Sequence, residues 1–193
     1  MLLTKDQLKS IMFNASAENI ERFHQPLNEA MEKYAITTPA RMAPFLAQVA
    51  HESGCLKYTL EIASGSAYEG RADLGNIQKG DGVKFKGRGL IQITGRNNYI
   101  TLSEEFAVRL TDHPELLEGP VFASLSAAWF WKWRGLNDIA DKPETWTRVW
   151  KGKTYSKFEW ITVKINGGLN GLADRLRYYE KAKETLHPPV NTV

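Results

Sequence analysis

With 193 residues, 42% of them apolar, the chain has enough hydrophobic material to fill a real core, which excludes wholesale disorder. Its formal charge of +3 is mildly basic and suits a polyanionic surface such as peptidoglycan, teichoic acid, lipopolysaccharide or nucleic acid without choosing among them. Cys55 is the only cysteine, so no intramolecular disulfide can form and the fold must hold in a reducing compartment.

The N-terminal MLLTKDQLKS lacks a basic segment followed by a long apolar run, and about 18 uninterrupted apolar residues occur nowhere. The expectation is a chain made in the cytoplasm without a signal peptide or membrane span. No internal repeat or Gly/Ser- or Pro-rich linker is present, which predicts a single domain over 1–193 with no separate binding module, a flexible tail at 187–193, and a monomer.

Thr4 and Gln7 form a capping box ahead of Leu8, Ile11 and Met12, and Ile20, Phe23, Leu27, Met31 and Tyr34 fall on one stripe of a second helix. A third helix is predicted from Pro39 to Gly54, with Met42, Phe45, Leu46 and Val49 buried, Gly54 as its stop and Glu52 in its last turn. From Cys55 to Gly82 periodicity is lost; an irregular segment of that length inside a compact domain is usually functional.

VKFKGRGLIQIT then alternates, predicting a strand with Arg88, Gln92 and Thr94 on one face and Ile91 and Ile93 on the other. Lys84, Lys86 and Arg88 would form a solvated basic face, and nucleic-acid binding is not expected from three such residues. A helix follows Gly95 through Leu110. Another opens at Pro120, with Phe122, Leu125, Trp129, Trp133 and Leu136 at helical spacing and its tryptophans in the core. Trp150, Tyr155 and Trp160 are also expected in the core, with stacking on sugar rings as the alternative. The last helix places Leu172, Leu176, Tyr179 and Leu186 on its apolar side, with Arg175, Arg177, Lys181 and Lys183 largely elsewhere. The predicted fold class is mainly α, a lysozyme-like α+β domain with a small β region beside a loop-built cleft.

Glu52 carries the most chemical information. A carboxylate at a helix C-terminus faces the negative end of the macrodipole, which disfavours its ionised form and suits a proton donor. An ordinary surface glutamate fits the position equally well, because the dipole contributes only about 0.3–1 kcal/mol at exposed sites. Glycoside hydrolysis by two carboxylates needs a second acid, and Glu61, Glu69 and Asp73 all lie in the irregular segment that follows.

Four blocks, FLAQVAHESG, AYEGRADLGN, GDGVKFKGRGLIQITGRNNY and INGGLNGLADRLRYY, resemble in order and spacing the family 19 glycoside hydrolases, particularly their bacteriophage endolysin branch. The resemblance implies a lysozyme-like fold that cleaves β-1,4 bonds of chitin or peptidoglycan, usually with inversion and with no metal or other cofactor. It maps the family acid onto Glu52 and the second carboxylate onto Glu61, with Glu69 kept open. It assigns Arg88, Gln92, Thr94, Asn98, Tyr99 and Asn166 to substrate contacts and pairs Arg175 with the catalytic carboxylates. Without the match, Arg175 would be a solvated charge on the last helix.

Plant chitinases of the family carry disulfides and longer loops that this chain lacks, which favours peptidoglycan glycan strands as the partner, reached after the membrane is permeabilised. A further partner is the anionic bacterial envelope surface, through the cationic last helix. Alternatives are a chitinase, a lytic transglycosylase using Glu52 alone, and a non-catalytic wall-binding virion protein. HESGC also stands one residue from the H-E-x-x-H zinc signature, but Gly54 would interrupt the helix that must present both ligands. GRGLIQ is no dinucleotide fingerprint, since Gln92 stands where the third glycine belongs.

Overall fold

The computed structural model describes residues 2–186, so the tail at 187–193 lies outside the described residues. Helix α1 (Lys5–Ile11) starts at the Thr4–Gln7 capping box, with both reciprocal hydrogen bonds present. Helix α2 (Ala17–Lys33) is capped by Ser16 and buries Ile20, Phe23, Leu27 and Met31, the expected stripe.

Helix α3 (Pro39–Glu52) is capped by Thr38 and opened by Pro39, whose missing N–H would be unpaired at that position in any residue. Every residue from Met42 to Ala50 is buried, so α3 is encased on all sides as the central helix, wider in its burial than the predicted single face. Helix α9 (Leu172–Leu186) packs along it. The buried side of α9 carries Arg175, Tyr178, Tyr179 and Ala182, while Leu176 is exposed, so the predicted stripe is rotated.

Beyond α3 the backbone turns sharply through Gly54, Cys55 and Leu56, all with positive φ (56°, 57° and 67°). Two non-glycine residues there sit in a sparsely populated region. The turn is held by Cys55 N–H donating to the Ala50 carbonyl at 2.7 Å and by Ser53 Oγ accepting from Leu56 N–H at 2.8 Å. The chain thus leaves the helix end at once and leaves Glu52 at a free rim.

The irregular segment contains only 3-10 turns at Ser66–Tyr68 and Ala72–Leu74 before the short helix α4 (Asp81–Lys84). The strand predicted from VKFKGRGLIQIT does not form. Arg88 makes isolated bridges to Leu60 and Ile93, and the chain turns at Gly89 (φ 80°) and Gln92 (φ 56°), so the alternation comes from corners rather than extended backbone. A Cβ on Gly89 would stand 2.6 Å from Ser126 Oγ, which explains the glycine at that corner. The predicted solvated basic face also fails: Arg88 is buried, and Lys86 Nζ donates to the carbonyls of Glu61 (3.0 Å) and Ala63 (3.1 Å).

Helix α5 (Arg96–Phe106) ends at Ala107 in the left-handed conformation, short of the predicted Leu110. Helix α6 (Pro120–Trp133) packs on α2 and buries Trp131, whose ring meets Phe45 edge-on at 5.5 Å. Trp129 is in the core as expected, but Trp133 is 59% exposed and Leu136 belongs to the next helix, α7 (Leu136–Ala140).

Strands β1 (Thr147–Trp150) and β2 (Lys153–Ser156) pair antiparallel. Lys151 and Gly152 join them with positive φ at both positions, the pattern of a type I′ hairpin turn. Helix α8 (Lys157–Asn166) follows from a Ser156–Glu159 capping box. The small β region therefore lies in the WKGKTYSKFEW segment and not in the GRGLIQ block. No helix among the described residues is long and apolar enough to cross a membrane.

Candidate active-site cleft

Glu52, Leu74, Ile91, Gln92, Ile93, Thr94, Asn98, Phe130, Arg134, Ile165 and Asn166 line a cleft of about 320 Å³. Its acid comes from the end of α3, its polar wall from the 92–98 turn, and its far side from the ends of α6 and α8. Four expected residues, Gln92, Thr94, Asn98 and Asn166, thus meet around Glu52. Gln92 is fixed by its Nε2 donating to the Gly89 carbonyl (3.0 Å), and Asn98 Nδ2 donates to the Thr94 carbonyl (2.7 Å). Asn166 donates to the Asn170 carbonyl (3.0 Å) and accepts from Gly168 N–H (2.8 Å), closing the α8–α9 turn beside the cleft. The positive φ of Gln92 places backbone strain at this wall, a feature that clusters at ligand sites.

Beneath Glu52 lies Arg175, 2% exposed. One guanidinium nitrogen donates to Glu52 Oε1 at 2.5 Å, another to Gln48 Oε1, and its Nε to the Asn170 carbonyl at 3.2 Å. Gln48 in turn donates to Thr162 Oγ1 at 2.9 Å, so α3, α8 and α9 are joined through one buried network. The guanidinium fixes the Glu52 carboxyl in place and supplies positive charge against the helix-end dipole. One residue earlier on each helix, His51 Nδ1 meets Asp174 Oδ2 at 2.7 Å. These two side-by-side pairs, Arg175 with Glu52 and Asp174 with His51, clamp the start of α9 onto the end of α3.

The two candidates for the second carboxylate are held differently. Glu61 is half-buried: Oε1 accepts from the Tyr68 hydroxyl at 2.9 Å and Oε2 from Gly87 N–H at 2.8 Å. Burial and this bond to Glu61 push the Tyr68 phenol above its ordinary range. A Cβ added at Gly87 would stand 2.9 Å from Gln92 Oε1 and 3.0 Å from Glu61 Oε2, so Glu61 converges with a cleft-lining residue on one glycine. Glu69 is exposed, and its two oxygens accept from Gly80 N–H (2.6 Å) and Gly82 N–H (2.8 Å), bracing the start of α4. Asp73 pairs with Arg71 on the surface.

Arg88 and Tyr99, expected from the family resemblance to contact substrate, instead lie buried outside the cleft lining. Arg88 donates to Glu118 (2.8 Å), the Lys84 carbonyl (2.9 Å) and the Tyr99 hydroxyl (3.1 Å), while Tyr99 is fully buried with its hydroxyl on the Lys86 carbonyl. They brace the cleft wall from behind. The zinc-like spacing of His51 and Cys55 also dissolves: Cys55 Sγ donates to the Tyr178 hydroxyl at 3.2 Å, while His51 faces Asp174. Among the described residues no group of three or more His, Cys, Asp or Glu side chains is placed to hold a metal ion. Sequence reasoning missed Arg134 as a cleft residue; its one signal was the SAAWFWKWRGL segment at the end of a tryptophan-rich helix.

The fold resembles solved family 19 chitinases. A class IV chitinase from Zea mays superposes with a TM-score of 0.72 at 20% identity over 96% of this chain and 92% of that one. Chitinase C from Streptomyces griseus superposes with a TM-score of 0.69 at 19% identity over 96% of this chain and 76% of that one. The architecture is thus the mainly helical, lysozyme-like fold of those enzymes, with a small two-stranded sheet.

In sequence, no family model matches the chain. A glycosyl hydrolase family 19 domain-containing protein of Haemophilus influenzae is 28% identical over 192 residues, 83% of this chain and 87% of that protein. An endochitinase of Arabidopsis thaliana is 30% identical over 166 residues, 82% of this chain but 52% of the plant protein. In sequence and in fold the chain is therefore similar to glycoside hydrolase family 19, chitinase-like, proteins.

Proposed function

We propose that the chain is an endolysin-type glycosidase that hydrolyses β-1,4 bonds in the glycan strands of bacterial peptidoglycan. The observation that carries this reading is Glu52 at the free end of a helix buried from Met42 to Ala50, opening into a cleft whose other polar side chains suit a hydroxylated, amide-bearing sugar. Glu52 in its protonated form donates to the glycosidic oxygen as the bond breaks. Glu61 takes a proton from the water that attacks the anomeric carbon from the opposite face, which inverts its configuration. Its anchoring by Tyr68 and Gly87 supports that role, because a general base must be held in a fixed position. Arg175 keeps Glu52 oriented between turnovers.

The similarity to family 19 chitinases supports β-1,4 glycoside hydrolysis; a mildly basic chain with Arg134 on the cleft wall favours an anionic polymer over neutral chitin. In this role the chain reaches the wall once the inner membrane has been permeabilised.

Mass spectra of the products from purified cell-wall sacculi test the reading. Reducing-end sugars are expected. Anhydro-muramic ends would instead establish a lytic transglycosylase, and turnover of chitin oligomers with intact sacculi left untouched would establish a chitinase.

A further inference from the structure

Beside the cleft lies a second cavity of about 410 Å³ lined by Arg134, Arg148, Trp150, Trp160, Lys164 and Gly167 with Val163 and Ile165. Arg134 and Ile165 line both, so the second cavity continues the first. It is built by the β1–β2 hairpin laid on α8. Alternation along β1 puts Arg148 and Trp150 on one face, and the register sets Tyr155 opposite Arg148. Trp150 and Tyr155 pack around Trp160 of α8 with ring centroids 5.7 Å and 5.8 Å away. Tyr155 is buried, while Trp150 and Trp160 keep part of their surface open.

No acidic residue lines this cavity, and among the described residues no carboxylate pairs with Arg134, Arg148 or Lys164. Arg148 instead lies over the Trp160 ring at 5.7 Å, and Arg134 over Phe130 and Trp133 at 5.1 Å each. Three cations gathered without a counter-charge repel one another unless a bound anion compensates them. Aromatic rings lining a cavity continuous with the cleft supply stacking surfaces, and guanidinium groups supply forked donors that match a carboxylate.

We propose that this hairpin cavity is a specificity subsite that takes a carboxylate-bearing N-acetylated sugar of the glycan strand, stacking the sugar on Trp150 and Trp160 and binding its carboxylate through Arg148, Lys164 and Arg134. The inference rests on the peptidoglycan reading above and sharpens it: the acidic substituent, absent from chitin, is what the subsite selects. That carboxylate is either the lactyl group of a peptide-free strand or an acidic residue of an attached peptide stem.

The test is binding by the full chain carrying Glu52→Gln, so that no turnover intervenes, to three probes of equal sugar length: chitin oligomers, peptide-free peptidoglycan glycan, and stem-bearing glycan. At least one anionic probe is expected to bind roughly tenfold tighter than chitin, with the preference fading as salt rises. Adding Arg148→Gln and Lys164→Gln is expected to bring all three probes within about twofold while chitin affinity is retained, which also shows that the variant is folded. Preference for the peptide-free probe identifies the lactyl carboxylate; preference for the stem-bearing probe alone identifies the peptide. Equal binding of all probes by the parent, or a preference that survives the double substitution, overturns the subsite. If anionic preference is present and cationic-residue-dependent but the wild-type chain leaves sacculi intact, the subsite stands and the hydrolase reading falls. Cleavage of sacculi without any anionic preference has the opposite meaning.

Discussion

Arg175, buried on the last helix, places a guanidinium nitrogen 2.5 Å from Oε1 of Glu52, at the end of the central helix. Arg175→Gln should leave Glu52, Gln48 and the Asn170 carbonyl without the shared donor that the buried guanidinium supplies beneath the cleft. Removing one partner of a buried pair costs about 3 kcal/mol or more, so a clear fall in thermal midpoint is expected by calorimetry, with activity falling alongside. Unchanged stability would show that the pair is solvated.

The two candidate bases make opposite predictions. Glu61→Gln should lose at least roughly 10²-fold in kcat with little change in melting, as expected for a general base. Glu69→Ala should instead destabilise by about 1 kcal/mol through two lost hydrogen bonds to the α4 backbone, with kcat within a few-fold of wild type. Exchange of these outcomes would move the second carboxylate to Glu69.

Asp81 is nearly fully buried against Arg96, which holds its carboxyl below the usual value of 3.8. A depressed folded pKa means that the pair's stabilisation is fully present above about pH 4 and is lost as pH falls through the folded value. Asp81→Asn should therefore lower stability at neutral pH and flatten the acid limb of the denaturation curve below about pH 4. A wild-type-like acid limb in Asp81→Asn would contradict this.

Cys55 is buried, and loss of water around it pushes the thiol pKa upward. The folded protein should react with a thiol reagent no faster than it unfolds, whereas the denatured chain reacts at once. Rapid labelling of one thiol in native buffer would be the contrary result.

The parts of the fold written in local chemistry were legible: the Thr4–Gln7 box, the α2 stripe, the Pro39 start of α3 and the Glu52 position at its end. Residues whose roles depend on distant partners were not. From periodicity alone Arg175 reads as solvated, because its neighbours Leu172 and Leu176 suggest a different buried face; only the motif blocks pair it with a catalytic carboxylate, and packing on α3 is what turns it inward onto Glu52. The 83–94 alternation mimicked a strand because glycine corners, rather than extended backbone, generated its spacing. Trp133 shared helical spacing with core tryptophans yet lies beyond the covered part of α6. Gln92, Thr94, Asn98 and Asn166 came from ordered motif blocks, whereas Arg134, outside the strong blocks, emerged only in three dimensions.

The acid role proposed for Glu52 in a wall-cleaving glycosidase underlies every catalytic expectation above. Its most direct test is the rate of turbidity loss of outer-membrane-permeabilised bacteria under wild-type protein and Glu52→Gln, with matched circular dichroism to establish equal folding. The expected result is clearing by wild type and a loss of at least roughly 10²-fold in the variant, the lower range for a general acid. Equal rates from the two proteins, or no clearing by either, would contradict it.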